Sequence, residues 1–382
     1  MRLVFMVTLL ASAAFPQSLL NPARAARFTR YLQPGQGERQ LKCEVTPIPP
    51  QLNFSFRFQT GYIFRLPMRQ FSGSGHLWGV VSRVTPANGQ PPYFLGEQRR
   101  LPPIPAKTKV TAELGGAFWV GEGDYKVEWV LFDEQGRVCR KQWKIAAKLT
   151  GSEHAITPGV APYTVAQVSF RRWSAQDASA ADAAPLHRLT VFLHAAPLYP
   201  RSTRLRAQDR LTLLGSLASL LESVPAQTVR LVIFNLDQQK ELYRTDAFTP
   251  ETFDQAAQSL TTLQLQLVDY SVLKNRRGHI DLLENLLKQE LRAPDPPDAA
   301  IVIGPATRYF DKVPQADFEQ PSGNSPLFFY LAYKPYMRQR AEPPDSIQQA
   351  LKRVHGKKLD IRTPDDFARA IKQVEAQLIA RK

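Results

Sequence analysis

The chain has 382 residues, of which 43% are hydrophobic and 22% are charged. This composition is that of an ordinary globular protein with enough apolar material for two hydrophobic cores, and it leaves no segment beyond the N-terminus that could cross a membrane. The formal net charge is +15. Residues 26–150 hold 18 basic and 9 acidic side chains, whereas residues 151–382 hold 29 and 25. The basic excess either favours an anionic surface such as lipid headgroups or a cell-wall polymer, or is a solvated surface without a specific partner.

The N-terminus has the pattern of a secretory signal peptide. Residues 3–15 are apolar with small side chains, after a single arginine. Small residues in the pattern of a cleavage site occur twice, at residues 11–13 and 23–25, and we assign residues 1–25 to the leader. An uncleaved membrane anchor is the alternative, but the apolar run is shorter than the roughly 20 residues that span a bilayer. We therefore expect a secreted or periplasmic protein without a transmembrane segment after cleavage.

Residues 26–150 are predicted to form an all-β domain. Alternation of apolar and polar residues predicts strands at residues 41–45, 52–58, 76–84, 108–114, 125–132 and 137–145. The last two strands flank a turn that ends at Gly136, which is typical of a β-hairpin. Several short strands without helical periodicity indicate a β-sandwich.

This region resembles the immunoglobulin-like domains. Residues 123–125 are similar to the tyrosine corner of that family, but Val127 stands where antibody domains carry the second cysteine of their disulfide. The two cysteines of the chain, Cys43 and Cys139, lie on an early and a late predicted strand. In an oxidising compartment they predict one disulfide that staples the first and last strands, and a reduced, buried pair is the alternative.

Residues 151–186 are predicted to be a linker because small residues, proline and acidic residues dominate them. A strand-like run at residues 162–170 interrupts the segment and is compatible with docking on either neighbouring domain. The second domain is expected to span residues 187–382.

The second domain alternates buried strands with amphipathic helices. Strands are predicted at residues 188–193, 228–234, 241–244, 298–303, 325–333 and 358–361. Helices are predicted at residues 209–224, from 249 onward, 279–291, 346–354 and 363–379. The pattern indicates a doubly wound α/β domain.

This order of elements resembles the von Willebrand factor type A fold. The resemblance implies a metal-ion-dependent adhesion site, whose first motif is Asp-x-Ser-x-Ser directly after the first strand. The corresponding positions are His194, Ala196 and Leu198, and Gly304 and Pro305 stand where the family has an aspartate. The hard oxygen ligands are missing, so we expect no metal site and no cofactor. The two-domain organisation is also similar to that of bacterial secreted proteins.

One basic loop, at residues 201–206, follows the first predicted strand of the second domain, and another, at residues 275–277, precedes the helix predicted at 279–291. In such a fold both loops lie at the carboxyl edge of the sheet. They contain five arginines that could form a cationic rim for an anionic ligand or partner: Arg201, Arg204, Arg206, Arg276 and Arg277. Two solvated basic loops are the alternative. His194 at the first strand tip is interpreted as a structural residue, because it is a lone histidine beside alanine and proline; a ligand or acid/base group is the alternative. The other histidines show no metal-binding spacing.

The sequence predicts no catalytic residue. There is no Gly-x-Ser-x-Gly elbow and no phosphate-binding loop with its lysine. We therefore expect an exported, non-enzymatic binding or scaffold protein that contacts a protein or an anionic surface polymer of the cell envelope, and no nucleic acid. A hydrolase of cell-wall or other anionic material is the alternative, and a structural subunit of an envelope assembly is a third hypothesis.

Overall fold

The computed structural model describes residues 15–35, 37–73, 75–169, 186–199, 202–267, 269–314, 325–334 and 343–381. Two compact units divide the chain, Met1–Ser169 (unit 1) and Phe170–Lys382 (unit 2). Unit 1 is built mainly from β-sheet and unit 2 alternates strands with helices, so the predicted change of architecture along the chain is found. Residues 1–14 of the predicted leader and residues 170–185 of the predicted linker lie outside the described residues.

Unit 1 contains two packed sheets. Its strands are β1 (Phe15–Pro16), β2 (Ser18–Leu19), β3 (Arg39–Gln40), β4 (Glu44–Leu52), β5 (Phe58–Pro67), β6 (Leu77–Pro86), β7 (Tyr93–Arg100), β8 (Thr111–Val120), β9 (Gly123–Asp133), β10 (Arg137–Ala147) and β11 (Val165–Gln167). One sheet has the order β1-β8-β5-β4, with β11 beside β8, and the other has the order β2-β7-β6-β9-β10-β3. Aromatic rings from the two sheets meet between the layers, for example Tyr62 and Trp129 at 5.3 Å between centroids.

The predicted disulfide is confirmed. Cys43 lies just before β4 and Cys139 lies in β10, and the two are bonded with their Cα atoms 6.1 Å apart. Because β4 and β10 belong to different sheets, the bond joins the two layers at one edge. The predicted hairpin is also confirmed, since β9 and β10 pair antiparallel around a turn in which Asp133 accepts backbone hydrogen bonds from Gln135 and Arg137.

The predicted strand at residues 52–58 is wrong. Strand β4 ends at Leu52 and β5 begins at Phe58, and the chain turns between them. The side chain of Asn53 accepts hydrogen bonds from the backbone N–H groups of Ser55 and Arg57, and Phe56 has a φ of 53°. An asparagine that bonds its own downstream backbone stabilises a turn, and this local bonding overrides the period-two alternation.

Residues 15–32 form part of unit 1. Strand β1 pairs with β8 and β2 pairs with β7, and helix α1 (Pro22–Thr29) follows. Gln17 between the strands is 1% exposed, and Tyr31 stacks on Phe132 with 3.9 Å between ring centroids. The predicted end of the leader at residue 25 therefore falls inside a helix that packs on the sandwich.

The predicted linker starts too early. Residues 151–155 form a 3₁₀ helix, Ile156 and Val160 are buried, and β11 pairs with β8. These contacts make residues 151–169 part of unit 1, because the strand-like run supplies a further strand to one of its sheets.

Unit 2 has one six-stranded sheet. Its strands are β12 (Leu186–His194), β13 (Ala226–Asn235), β14 (Lys240–Thr245), β15 (Ala299–Pro305), β16 (Leu327–Tyr333) and β17 (Lys357–Ile361). Its helices are α2 (Ala207–Ser223), α3 (Phe253–Thr262), α4 (Tyr270–Lys274), α5 (Gly278–Leu291), α6 (Ser346–Arg353) and α7 (Pro364–Ala380). The strand order is β14-β13-β12-β15-β16-β17, and only β14 runs antiparallel to its neighbour.

Helices cover both faces of this sheet. Phe192, Val302 and Tyr330 belong to a core cluster that includes residues of α5 and α6. On the opposite face, the ring of Tyr333 contacts Phe367 of α7 at 6.0 Å between centroids. The central strands are buried on both sides, which explains their nearly continuous apolar sequences.

The final helix shows how local chemistry sets its start. The Thr363 hydroxyl accepts a hydrogen bond from the Asp366 amide, and the Asp366 carboxylate accepts one from the Thr363 amide. Pro364 occupies the first helical position, where no amide hydrogen is needed. The predicted helix is therefore confirmed to within one residue at each end.

Candidate functional site

A cleft of about 1180 Å³ lies at the carboxyl edge of the sheet in unit 2. Its floor contains His194 at the end of β12, Asp237 after β13 and Thr307 after β15. From β12 the chain proceeds outward to β13 and β14, whereas β15 lies on the other side of β12. Ligand sites of open α/β sheets occur at such a switch point, outside the carboxyl ends of the strands. The position and size identify this cleft as the candidate site.

The imidazole of His194 is fixed in the floor. Its Nδ1 lies 2.8 Å from the carbonyl oxygen of Pro305, and its ring stacks on Phe234 with 5.2 Å between centroids. Since a carbonyl oxygen only accepts, Nδ1 carries the hydrogen and Nε2 is an acceptor. Burial disfavours the imidazolium and lowers the pKa of His194, against the opposing effect of the Pro305 carbonyl. The side chain therefore acts as a neutral, structural group at neutral pH.

The glycine at the tip of β15 is required by close packing. Gly304 has a φ of 143°, and a Cβ atom there would lie 2.6 Å from the backbone oxygen of His194. Only glycine adopts this conformation without strain and fits this space. Gly304 thus has a packing role at the tip of β15.

A charged group on the floor is internally paired. The Oδ1 atom of Asp237 accepts hydrogen bonds from the hydroxyl of Tyr309 at 3.0 Å and from Arg308 at 2.9 to 3.1 Å. Burial, followed by the nearby charge of Asp237, raises the pKa of Tyr309 above its ordinary value. Tyr309 therefore remains a phenol that donates to the carboxylate.

His279 closes the floor on the helix side. Its ring stacks on Tyr309 with 4.3 Å between centroids, and its Nε2 lies 2.9 Å from Oδ2 of Asp311. The side-chain amide of Asn235, which is fully buried, donates to the Ala195 carbonyl at 2.6 Å and links the ends of β12 and β13. These contacts hold the floor rigidly on the strand ends.

The walls combine apolar and polar side chains. The apolar wall consists of Leu242, Leu263, Leu265, Leu267, Val272 and Leu273. The polar lining includes the carboxamides of Gln264 and Asn275 and the cations Lys240 and Arg276. None of these four side chains has a hydrogen-bond or ion-pair partner among the residues that the structure describes. They are free to contact a ligand.

The predicted cationic rim is only partly assembled at this cleft. Arg276 lines it, whereas Arg204, Arg206 and Arg277 are exposed and do not. Arg201 lies outside the described residues. Ser202 and Thr203 of the same loop do line the cleft. The loop therefore reaches the site through Ser202, whose hydroxyl is bonded to the backbone of Arg204, and Thr203.

Sequence reasoning missed the paired floor residues and Lys240. Asp237 follows a predicted strand by three residues, and Arg308 and Tyr309 follow the Gly304–Pro305 tip. Charged residues directly after buried strands were the available signal, because such positions meet at one edge of a parallel sheet.

Metal-binding geometry is not found in the described ranges: no group of three or more histidine, cysteine, aspartate or glutamate side chains is close enough there to hold an ion. Within the part of the chain that the structure describes, no helix has the length and apolar character needed to cross a bilayer.

Comparison with known proteins assigns no family. No protein-family model matches the chain, and no curated protein matches it significantly. Among solved structures, one described as an ApaA protein from Bordetella pertussis is 16% identical, with 30% of this chain and 99% of that chain covered and a TM-score of 0.19. OgpA from Akkermansia muciniphila is 9% identical, with 33% of this chain and 35% of that chain covered and a TM-score of 0.19. A β-glucuronidase from Bacteroides uniformis is 9% identical, with 82% of this chain and 38% of that chain covered and a TM-score of 0.19. Likenesses this weak give this chain neither a fold family nor an activity.

Proposed function

We propose that this chain is an exported, non-enzymatic binding protein whose unit 2 is a von Willebrand A-like domain that binds without a metal ion. The strand order of unit 2, with five parallel strands and one antiparallel edge strand, supports the comparison with that fold. Its switch-point cleft is where a domain of this architecture would bind a ligand.

The observation that carries this proposal is the chemistry of the cleft floor. His194 and Ala196 stand where the fold family would place a metal-ligating aspartate and serine, and Gly304 is required by packing. The carboxylate of Asp237 is held by Arg308 and Tyr309. A floor whose charges are mutually neutralised suits recognition by the walls around it.

Unit 1 is proposed to be an immunoglobulin-like sandwich. The hydroxyl of Tyr125 donates to the carbonyl of Gly121 at 2.9 Å, which is the hydrogen bond of a tyrosine corner. The disulfide supports folding in an oxidising compartment, such as a periplasm or the exterior of the cell. The basic surface of this unit would then face the envelope.

Site-specific photocrosslinking in the producing cells tests the function. Benzoylphenylalanine replaces Gln264, which lines the cleft, or Ile379, which is 70% exposed near the end of α7. Arg381 contacts the Ser325 carbonyl before β16, so this control position lies at the opposite, amino edge of the sheet. We expect a discrete adduct from position 264 that also forms when EDTA is present during irradiation, and none from position 379.

Two outcomes would contradict the proposal. Loss of the adduct when EDTA is present during irradiation would mean that a divalent ion bridges the partner. Equal crosslinking from both positions, or none from either, would remove the cleft as the binding surface.

A further inference from the structure

We propose that the cleft of unit 2 binds an extended, acidic peptide segment of a partner protein, with carboxylates at Lys240 and Arg276 and apolar side chains on the leucine wall. This inference rests on the proposed binding function and names its ligand class. It follows from three features of the cleft walls.

The first feature is positive charge in the lining, where the cations Lys240 and Arg276 accompany one carboxylate, that of Asp269, outside the floor pair. Lys240 begins β14 and Arg276 lies in the turn before α5, and both are exposed and line the cleft. Neither has an acidic partner among the described residues, whereas Arg308 on the floor is bound by Asp237. Two unpaired cations at one cleft are complementary to an anionic group, and arginine matches a carboxylate with two parallel hydrogen bonds.

The second feature is exposed apolar surface on the same wall. Leu267 is 66% exposed and Leu273 is 64% exposed, and both line the cleft. Tyr270, which lies between them in sequence, is 68% exposed. Large aliphatic side chains that remain this exposed gain free energy when a ligand removes them from water. A uniformly polar, charged polymer would leave this surface uncovered, whereas a peptide with apolar residues would bury it.

The third feature is hydrogen-bonding capacity suited to a peptide backbone. The carboxamides of Gln264 and Asn275 each present two donors and one acceptor oxygen, and neither has a partner in the described structure. Thr203 adds a hydroxyl on the opposite loop, whereas the Ser202 hydroxyl is already bonded to the backbone of Arg204. An extended backbone alternates N–H and C=O groups and matches both kinds of atom. Together the three features favour a peptide over a polysaccharide.

Peptide selection on the full, disulfide-bonded chain tests this inference. Phage-displayed random dodecapeptides are selected on the wild-type protein and counter-selected on the double variant K240E/R276E. We expect enriched sequences that combine Asp or Glu with aliphatic or aromatic residues. Fluorescence anisotropy with the corresponding synthetic peptides then gives affinities at low and high salt.

The matched control is R204E/R277E. It changes the net charge by the same amount at exposed arginines that do not line the cleft. We expect K240E/R276E to weaken peptide binding by about tenfold or more, because two attractions become repulsions, and the control to change it by less than about threefold. L267S/L273S should weaken binding several-fold with little change in its salt dependence, since it removes apolar contact only.

Any of the following results would overturn the proposal that the cleft binds an acidic peptide. The peptide proposal would be excluded if no peptide sequence were enriched, or if K240E/R276E still bound the enriched peptides. It would also be excluded if R204E/R277E lost as much peptide affinity as K240E/R276E. Binding of polygalacturonate that K240E/R276E abolishes, without any selected peptide, would assign an anionic polysaccharide instead. In that case the crosslinking from position 264 would remain and the proposed binding function would stand, so the two failures are distinguishable.

Discussion

Removal of the disulfide should destabilise unit 1 by several kcal/mol. The bond between Cys43 and Cys139 closes a loop with a sequence separation of 96 residues. For a loop of this length the chain-entropy relation gives roughly 4.7 kcal/mol at 25 °C. Single domains are typically stable by about 5–15 kcal/mol, so the variant C43A/C139A should lose a large part of its folding free energy.

Tryptophan fluorescence can follow this change in unit 1. Four of the five tryptophans of the chain lie in that unit, at positions 78, 119, 129 and 143. Trp129 is 1% exposed and lies between the two sheets, so unfolding should shift its emission strongly. With a urea m-value of roughly 2 kcal/mol per molar, a loss of 4.7 kcal/mol lowers the midpoint by about 2 M.

Reduction of the wild-type protein provides the control. The reduced protein and C43A/C139A should unfold at similar urea concentrations, because both lack the covalent constraint while the surrounding sheets are unchanged. A midpoint change equivalent to less than about 1 kcal/mol would refute the reasoning, since a constraint on the unfolded chain of this length cannot be so weak. A loss of about 4.7 kcal/mol in both the reduced protein and C43A/C139A would show that the covalent link between the two sheets is needed for a stable sandwich.

Three further predictions concern processing, packing and pH. If the protein is exported, N-terminal sequencing of the mature form should show that it starts directly after Ala13. A cut after Ala25 would remove both N-terminal strands and half of α1 from unit 1. A mature form that starts after Ala25 would contradict this packing. Gly304→Ala should lower the stability of unit 2 by about 2 kcal/mol or more in urea unfolding followed by circular dichroism, because the methyl would meet the backbone at the tip of β12 in a strained conformation. The hydrogen bond from Arg83 is the main cause that lowers the pKa of Glu128; its stabilising contribution is therefore present above about pH 4.3 and is lost as the pH falls through the folded-state pKa. Glu128→Gln should lower the urea midpoint of unit 1 at pH 7 and reduce its further fall at acid pH, and an unchanged acid dependence would count against this ion pair.

Much of the fold of unit 2 is predictable because its signals are local. The strand predicted at 298–303 corresponds to Ala299–Pro305, and the helix predicted at 279–291 corresponds to Gly278–Leu291. Buried apolar runs, capping residues and flanking prolines are all contained within a few positions of these elements. The short helix α4 was missed because five residues carry too little periodicity.

The same local reasoning fails where a side chain bonds its own backbone. Residues 52–58 alternate well enough to predict a strand, but Asn53 accepts the amides that a strand would give to its neighbour. Arg57 then turns inward, with its guanidinium 4.9 Å from the ring centroid of Trp119. An asparagine two positions before a serine was the signal for a turn, and the aromatic alternation concealed it.

The candidate site was less predictable because distant segments build it. Asp237 and its partners Arg308 and Tyr309 are separated by 71 and 72 positions. Their pairing depends on β13 and β15 flanking β12, which is a property of the sheet order. Basic residues in adjacent loops were visible in the sequence, but only Arg276 of those described reaches the cleft.

The difference between the paired charges of the floor and the unpaired cations of the walls bears on how the cleft would recognise the proposed ligand. The floor charges satisfy one another, so a ligand that approached them would have to compete with Arg308 and Tyr309 for Asp237. Lys240 and Arg276 stand on the walls instead, where water screens them and no acidic group of the described residues pairs with them. Substitution of the floor should therefore alter stability more than specificity, whereas substitution of Lys240 or Arg276 should alter specificity with little effect on folding. Under the proposed function, the walls would select the partner and the strand ends would serve as a rigid support.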